Sequence, residues 1–255
     1  MTRREGWLAP AVTLAFLAVW EGMARAGRIP ALFFPAPSTI GGALLDMMAS
    51  GRLWPHLLAT LRRMAGGMVL GGIPGLLLGL GTGWSRRLRA LLDPVVAALH
   101  PLPKITLLPL IMIILGIGES ALMVVVAFAA FFPLLISTAA GVRQIRPIYF
   151  EVAENYGARG LRVFSHVVLP GSLPLVMSGL RLALNSAMLV AISVELVAAQ
   201  EGLGALAWFS WQTLRTRDLY ATLVVTAALG VVTNAALQGL SGRLLPWQGQ
   251  ALQER

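Results

Sequence analysis

The chain has 255 residues, of which 57% are hydrophobic and 12% charged, against about a quarter charged in soluble domains. That balance excludes an ordinary soluble protein. The net charge of +9 would point to nucleic acid in a soluble chain, but basic residues in short loops of a membrane protein set topology instead. With no cysteine, disulfides, thiolate nucleophiles and cysteine-ligated metals are excluded.

Apolar runs near twenty residues recur, each long enough to cross a hydrocarbon core of about 30 Å. The alternation of a membrane β-barrel is missing. The expected class is all-α: one polytopic helical membrane domain, 1–255, with about six spans. The first, 7–25, follows Arg3 and Arg4 but lacks a small-x-small cleavage site, so it reads as a retained helix. Phe34-Pro-Ala-Pro37 then leads to Ser38, expected to cap a short helix through Ile40, Leu44, Leu45 and Met48 on the outer face.

Span two is expected at 64–83, with a long first outer loop, 26–61, and with Arg62 and Arg63 also counted on the outer side. Gly67, Gly71, Gly75, Gly79 and Gly83 recur every four residues along it, a stripe that admits a neighbouring helix backbone to backbone. Span three, 93–116, is punctuated by Pro101, Pro103 and Pro109 and is expected to bend, beside a pathway or as a plain structural kink. Spans four to six are expected at 120–140, 173–198 and 219–241. Gly179, Ala183, Ala187 and Ala191 give span five its own small-residue seam. Arginines concentrate at 86–89 and 143–162, which places those segments and both termini in the cytoplasm.

Between spans four and five lies a polar island, Glu151 to Pro170, within a cytoplasmic segment 143–170. Ile145, Ile148, Tyr149, Val152, Ala153 and Tyr156 make one helical face. Gly157 and Gly160 interrupt it; Leu161, Phe164 and Val168 restart it. Such a helix–turn–helix outside the bilayer is built to dock onto a partner. Glu151, Glu154, Arg159 and the neighbouring Arg162 dress its charged face, while Val152, Ala153 and Tyr156 either pack inward or fill a partner's groove. Gly157 is the expected turn.

The island also reads Glu151-x-Ala153, Gly157, Leu169-Pro170 at offsets that resemble the EAA signature of ABC-importer permeases, with Val152 and Val167 as mild departures. Pro101-Leu-Pro-Lys104, Leu115-Gly-Ile-Gly-Glu119, Gly179-Leu-Arg181, Glu195-Leu196 and Glu201-Gly-Leu-Gly204 are similar to the nitrate/sulfonate/taurine branch, over roughly 7–247. The resemblance implies a MetI-like core in the bacterial inner membrane and a second permease copy or paralogue. It also implies two ABC ATPase subunits and an extracytoplasmic solute-binding protein. ATP and Mg belong to the ATPase; no cofactor and no metal is expected on this chain. The segment 143–170 becomes the coupling element that enters a groove on the ATPase. The solute becomes a small anion such as taurine, an alkanesulfonate, nitrate or bicarbonate, with a thiamine-precursor or flavin-type solute as the alternative.

Polar residues inside the spans are the pathway candidates. Glu195 either lines an outer gate or makes an interhelical hydrogen bond. Arg181, with Asn185 one turn on, either meets an anion or snorkels to the interface. Met112, Phe128 and Met188 either form an apolar gate or pack in the core. Asn234 and Gln238 read as interhelical glue, and Glu119 as a helix cap. His56, His100 and His166 have no metal spacing, and no GxxxxGK[ST] is present. An intramembrane enzyme would need clustered acids, histidines or a Ser/His pair at membrane depth, and none is found there. A stand-alone scaffold or channel gives no reason for the coupling segment.

Overall fold

The computed structural model describes residues 7–246, and among them every regular element is a helix. Helix α1 (Leu8–Arg25) and the short α2 (Pro37–Ala49) precede the long α3 (Leu53–Trp84). Then come α4 (Arg86–Leu99), α5 (Lys104–Leu115) and α6 (Glu119–Arg143). The short α7 (Pro147–Asn155) leads to α8 (Leu161–Ala198), α9 (Leu203–Gln212) and α10 (Thr216–Leu244). Four of these, α3, α6, α8 and α10, are long and apolar enough to cross a membrane; α4 and α5, bent by 93°, make a fifth if counted as one broken span. The 18-residue α1 lies over the first expected span but falls outside that set.

Helix α6 is the centre. Between Glu119 and Arg143 it carries no charged residue, and its 25 residues span about 37 Å, a little more than the hydrocarbon core. Helix α3 lies along one side. A Cβ placed on Gly71 would sit 1.9 Å from the Ala127 carbonyl oxygen, and one on Gly75 2.6 Å from that of Phe131. The stripe therefore serves a seam within the chain. Helix α8 lies along another side of α6 through Gly179, Ala183, Ala187 and Ala191, all buried. In lipid such close packing, rather than water exclusion, holds helices together.

Several boundaries differ from the sequence expectation, each for a physical reason. The second span begins at Leu53 rather than 64, because Leu53, Thr60, Arg63, Met64 and Gly67 form one buried stripe. Arg62 and Arg63 are thus helical, and the expected loop 26–61 is largely α2 and the start of α3. A π-helical turn, Met68–Gly72, carries α3 past its closest approach to α6. The helix that carries span five starts at Leu161, ahead of 173: a second π turn, Phe164–Val168, runs straight on into it, with Pro170 just past that turn. Pro170 therefore does not end the unit. Ser38 is not the N-cap of α2. Ala36 is, with Pro37 as the first helical residue. The Ser38 N–H and hydroxyl instead donate to the Glu21 carboxylate of α1 at 2.9 and 2.7 Å. The buried face of α2 is Ile40, Ala43 and Met47, while Leu45 and Met48 point outward.

The seam makes a direct prediction. Gly71→Ala should force α3 off α6 and cost about 1–3 kcal/mol of stability, the usual penalty for overpacking. Gly22→Ala, where a Cβ meets nothing within 4 Å, should leave the melting temperature of the detergent-solubilised protein unchanged.

Candidate functional site

The segment between α6 and α8 projects from one end of the bundle. Pro147 opens α7 after an extended Arg146, whose guanidinium donates to the Tyr149 hydroxyl at 2.6 Å. No residue of α7 is buried. Tyr156 is 88% exposed and Leu161 80%, so Val152 and Tyr156 form an outward apolar face and do not pack inward. Ala153 is half-buried, and Glu151, Glu154 and Arg159 are exposed. What holds α7 to the bundle is Phe150, outside the face expected from periodicity. Its ring lies 6.3 Å from that of Trp84, which also meets Phe164 at 6.4 Å. Val142, Leu80 and Val168 are buried beneath them.

The turn after α7 is a two-bond helix stop. Ala158 N–H donates to the Ala153 carbonyl at 2.9 Å and Gly157 N–H to that of Glu154 at 2.8 Å. Gly157 has φ +73°, the left-handed position that such stops require. Gly160, at φ 56° and ψ −119°, lies in a region open only to glycine. It is the more demanding of the two, and sequence reasoning had singled out Gly157. A groove of about 610 Å³ runs between α7 and the start of α8, with Ile145, Tyr149, Val152, Val167, Pro170 and Pro174 on its walls. Leu169 sits beside it, 42% exposed.

At the opposite end of the bundle the structure gathers a charged cluster. Arg63, 1% exposed, donates from Nη1 to Glu195 at 2.8 Å and to the Glu201 carbonyl at 2.6 Å. Its Nε and Nη2 face the Glu119 carboxylate, the former at 3.0 Å. Glu195, fully buried, also accepts from the Thr60 hydroxyl at 2.9 Å and the Gly204 N–H at 3.0 Å. Thr60 in turn accepts from the Leu203 N–H at 2.9 Å. Glu195 is therefore an interhelical anchor. Glu119 does not cap α6, whose N-cap is Gly118; it pairs with Arg62 at 2.9 Å and with Arg63. Sequence reasoning found Glu119 and Glu195 but missed their cation, because Arg63 looked like a loop residue. The signal available was the spacing of Thr60, Arg63 and Gly67 on one helical face.

The other pathway candidates do not converge. Arg181, exposed, lines a pocket of about 320 Å³ with Ser178 and Ser241. Asn185 accepts from Asn234 Nδ2 at 3.3 Å, joining α8 to α10. Met188 lies against Gly230. Phe128 lines an apolar cleft with Leu110 and Ile114 of α5, and Met112 packs on the core.

This fold, with an exposed helical turn at one end of a glycine-seamed bundle, is that of a polytopic helical membrane protein. The chain belongs to the family described as binding-protein-dependent transport system inner membrane component, which matches residues 71–248. It is 32% identical to the taurine transport system permease protein of Escherichia coli, over 98% of this chain and 96% of that one. A putative aliphatic sulfonates transport permease of the same organism is 35% identical, covering 97% and 93%. A riboflavin transport permease of Chloroflexus aurantiacus is 34% identical, covering 92% and 88%. Among solved structures, an inward-facing MetNI methionine ABC transporter shares the fold, at TM-score 0.60 and 22% identity over 78% of this chain and 98% of that one. The chain is thus a multi-pass inner-membrane permease subunit of an ABC importer, working with a solute-binding protein. It is not the catalytic subunit: a separate ATPase hydrolyses ATP.

The cluster predicts a large effect. Arg63→Met leaves the buried Glu195 without its cation, and Glu119 with Arg62 alone, and should destabilise the protein by roughly 3–5 kcal/mol. The double change Arg63→Met, Glu195→Met should be milder, read as a higher melting temperature than the single variant in detergent.

Proposed function

We propose that this chain forms half of the translocation pathway for a small sulfonate-type anion, opening alternately to either side as two ATPase subunits close and separate. The observation that carries the coupling is the exposed turn, Pro147–Gly160, joined without a break to α8. The 38 residues Leu161–Ala198 make a rod of about 57 Å, longer than the hydrocarbon core needs. A push on its exposed end is transmitted as rigid-body tilt. In this reading Val152 and Tyr156 enter a groove on the ATPase, Glu151, Glu154 and Arg159 meet its rim, and Leu169 and Pro170 brace the return. ATP and Mg sit on the ATPase, a second copy or paralogue completes the permease, and both termini face the cytoplasm. The solute class rests on the taurine and sulfonate relatives.

Two experiments test this. Reconstituted with its ATPase and binding protein in proteoliposomes, the complex should take up taurine or ethanesulfonate only with ATP inside. Uptake of riboflavin alone would favour the second reading, which the riboflavin relative supports. Asparagine tolerates the left-handed position, so Gly157→Asn should keep uptake near normal. Gly160→Asn should lower it about tenfold, equivalent to roughly 1.4 kcal/mol, while ATP hydrolysis continues. Equal uptake by the two variants would refute the proposed turn geometry.

A further inference from the structure

The break in the bent pair α4–α5 holds a cation that the family assignment leaves unexplained. Lys104 begins α5, directly after the exposed Pro101, Leu102 and Pro103. Its Nζ lies 5.4 Å from the centroid of the Phe132 ring. Phe132 is near the middle of α6, about 20 Å from Glu119 at one end and about 16 Å from Arg143 at the other, at 1.5 Å per residue. With charge at both ends and none between, α6 marks the bilayer, and Lys104 sits close to its midplane.

A charge at that depth is costly in lipid and is found paired or facing a water-filled path. Arg63 shows the paired solution, with two carboxylates around it. Lys104 does not: among the described residues its ammonium has no carboxylate partner. It donates to the His100 carbonyl at the end of α4 and rests on the Phe132 ring. An ammonium has three donors, so this leaves capacity for a ligand. The bend itself supplies access, because irregular backbone at membrane depth survives only against protein or a wet cavity, and 101–103 lie on the open surface of the chain. Solute sites at interrupted helices near the midplane are a general solution in transporters.

We propose that Lys104 is a binding residue of the translocation pathway, taking the oxyanion group of the transported solute at mid-depth. This rests on the reading of the chain as a permease for anions. The site selects a sulfonate, carboxylate or nitrate-like group by charge and offers nothing comparable to a neutral solute.

The test uses the complete reconstituted importer with taurine and ethanesulfonate as probes. Lys104→Met should lower uptake roughly ten- to hundredfold, the loss of one charge-assisted hydrogen bond. Lys104→Arg keeps the charge and should stay within about threefold of the parent. Co-purification of the ATPase reports assembly. The proposal is overturned if Lys104→Met transports within twofold of the parent. It is overturned equally if Lys104→Arg fails as badly as Lys104→Met in an assembled complex, or if Lys104→Met no longer assembles; the lysine is then a packing residue. If the parent complex takes up neither probe, or riboflavin alone, the anion reading fails, and the lysine proposal falls with it.

Discussion

The close approach of α3 to α6 is the contact on which the rest of the structure depends. Four glycines in register, from Gly71 to Gly83, let α3 rest on the backbone and side chains of α6. In a bilayer there is no water to drive helices together, so proximity itself must supply the attraction, through many short dispersion contacts. A seam this tight has no slack. It fixes the rotation of α3 about its axis, and with it where Thr60 and Arg63 point. The cluster at one end and the Trp84 contact at the other both follow from that rotation.

The two ends of the bundle are held by different chemistry. Around Trp84 the contacts are aromatic and aliphatic, with Phe150, Phe164 and Val168. Around Arg63 they are charged and fully hydrogen-bonded, tying α3, α6, α8 and the start of α9 to one guanidinium. Apolar contacts hold through many small gains and tolerate sliding. A hydrogen-bonded ion cluster has few alternative geometries, since losing one partner leaves the others buried and unsatisfied. The charged end is therefore the more uniquely specified. Glu119, at 44% side-chain exposure, is the member of the cluster that water can replace.

The sequence made the seams and the helix–turn–helix between α6 and α8 legible because both are written in local spacing. Glycine every fourth residue, alanine every fourth residue, and the offsets from Glu151 to Pro170 can be read without knowing what lies across the contact. What was not legible depended on a distant partner. Arg63 is a loop arginine until Glu119 and Glu195 are seen beside it, 56 and 132 residues away. Phe150 falls outside the apolar face of α7 because its partner, Trp84, belongs to another helix. Ser38 has the residue type of a cap, yet Glu21 captures its hydroxyl and N–H together. Pro170 has the residue type of a stop, yet the π turn Phe164–Val168 just before it already departs from the regular hydrogen-bond ladder, and α8 runs on through the proline.

Helix α8 links the exposed turn to the charged cluster in a single element. From Leu161 to Glu195 is about 51 Å of helix at 1.5 Å per residue, with Gly179 to Ala191 pressed on α6 between them. A rod gripped at its middle transmits rotation but not bending, provided the grip is backbone-close. The Phe164–Val168 π turn lies outside the grip, between the turn and the seam. Under the proposed reading a push arriving past Gly160 meets this π turn first, and what passes beyond it moves α3, α6 and α8 together. Under the proposed reading this makes the permease core the unit that tilts. The bend carrying Lys104 rides on the same core, because its Phe132 contact belongs to α6. The cation would then keep its depth in the bundle while the openings on either side of it change.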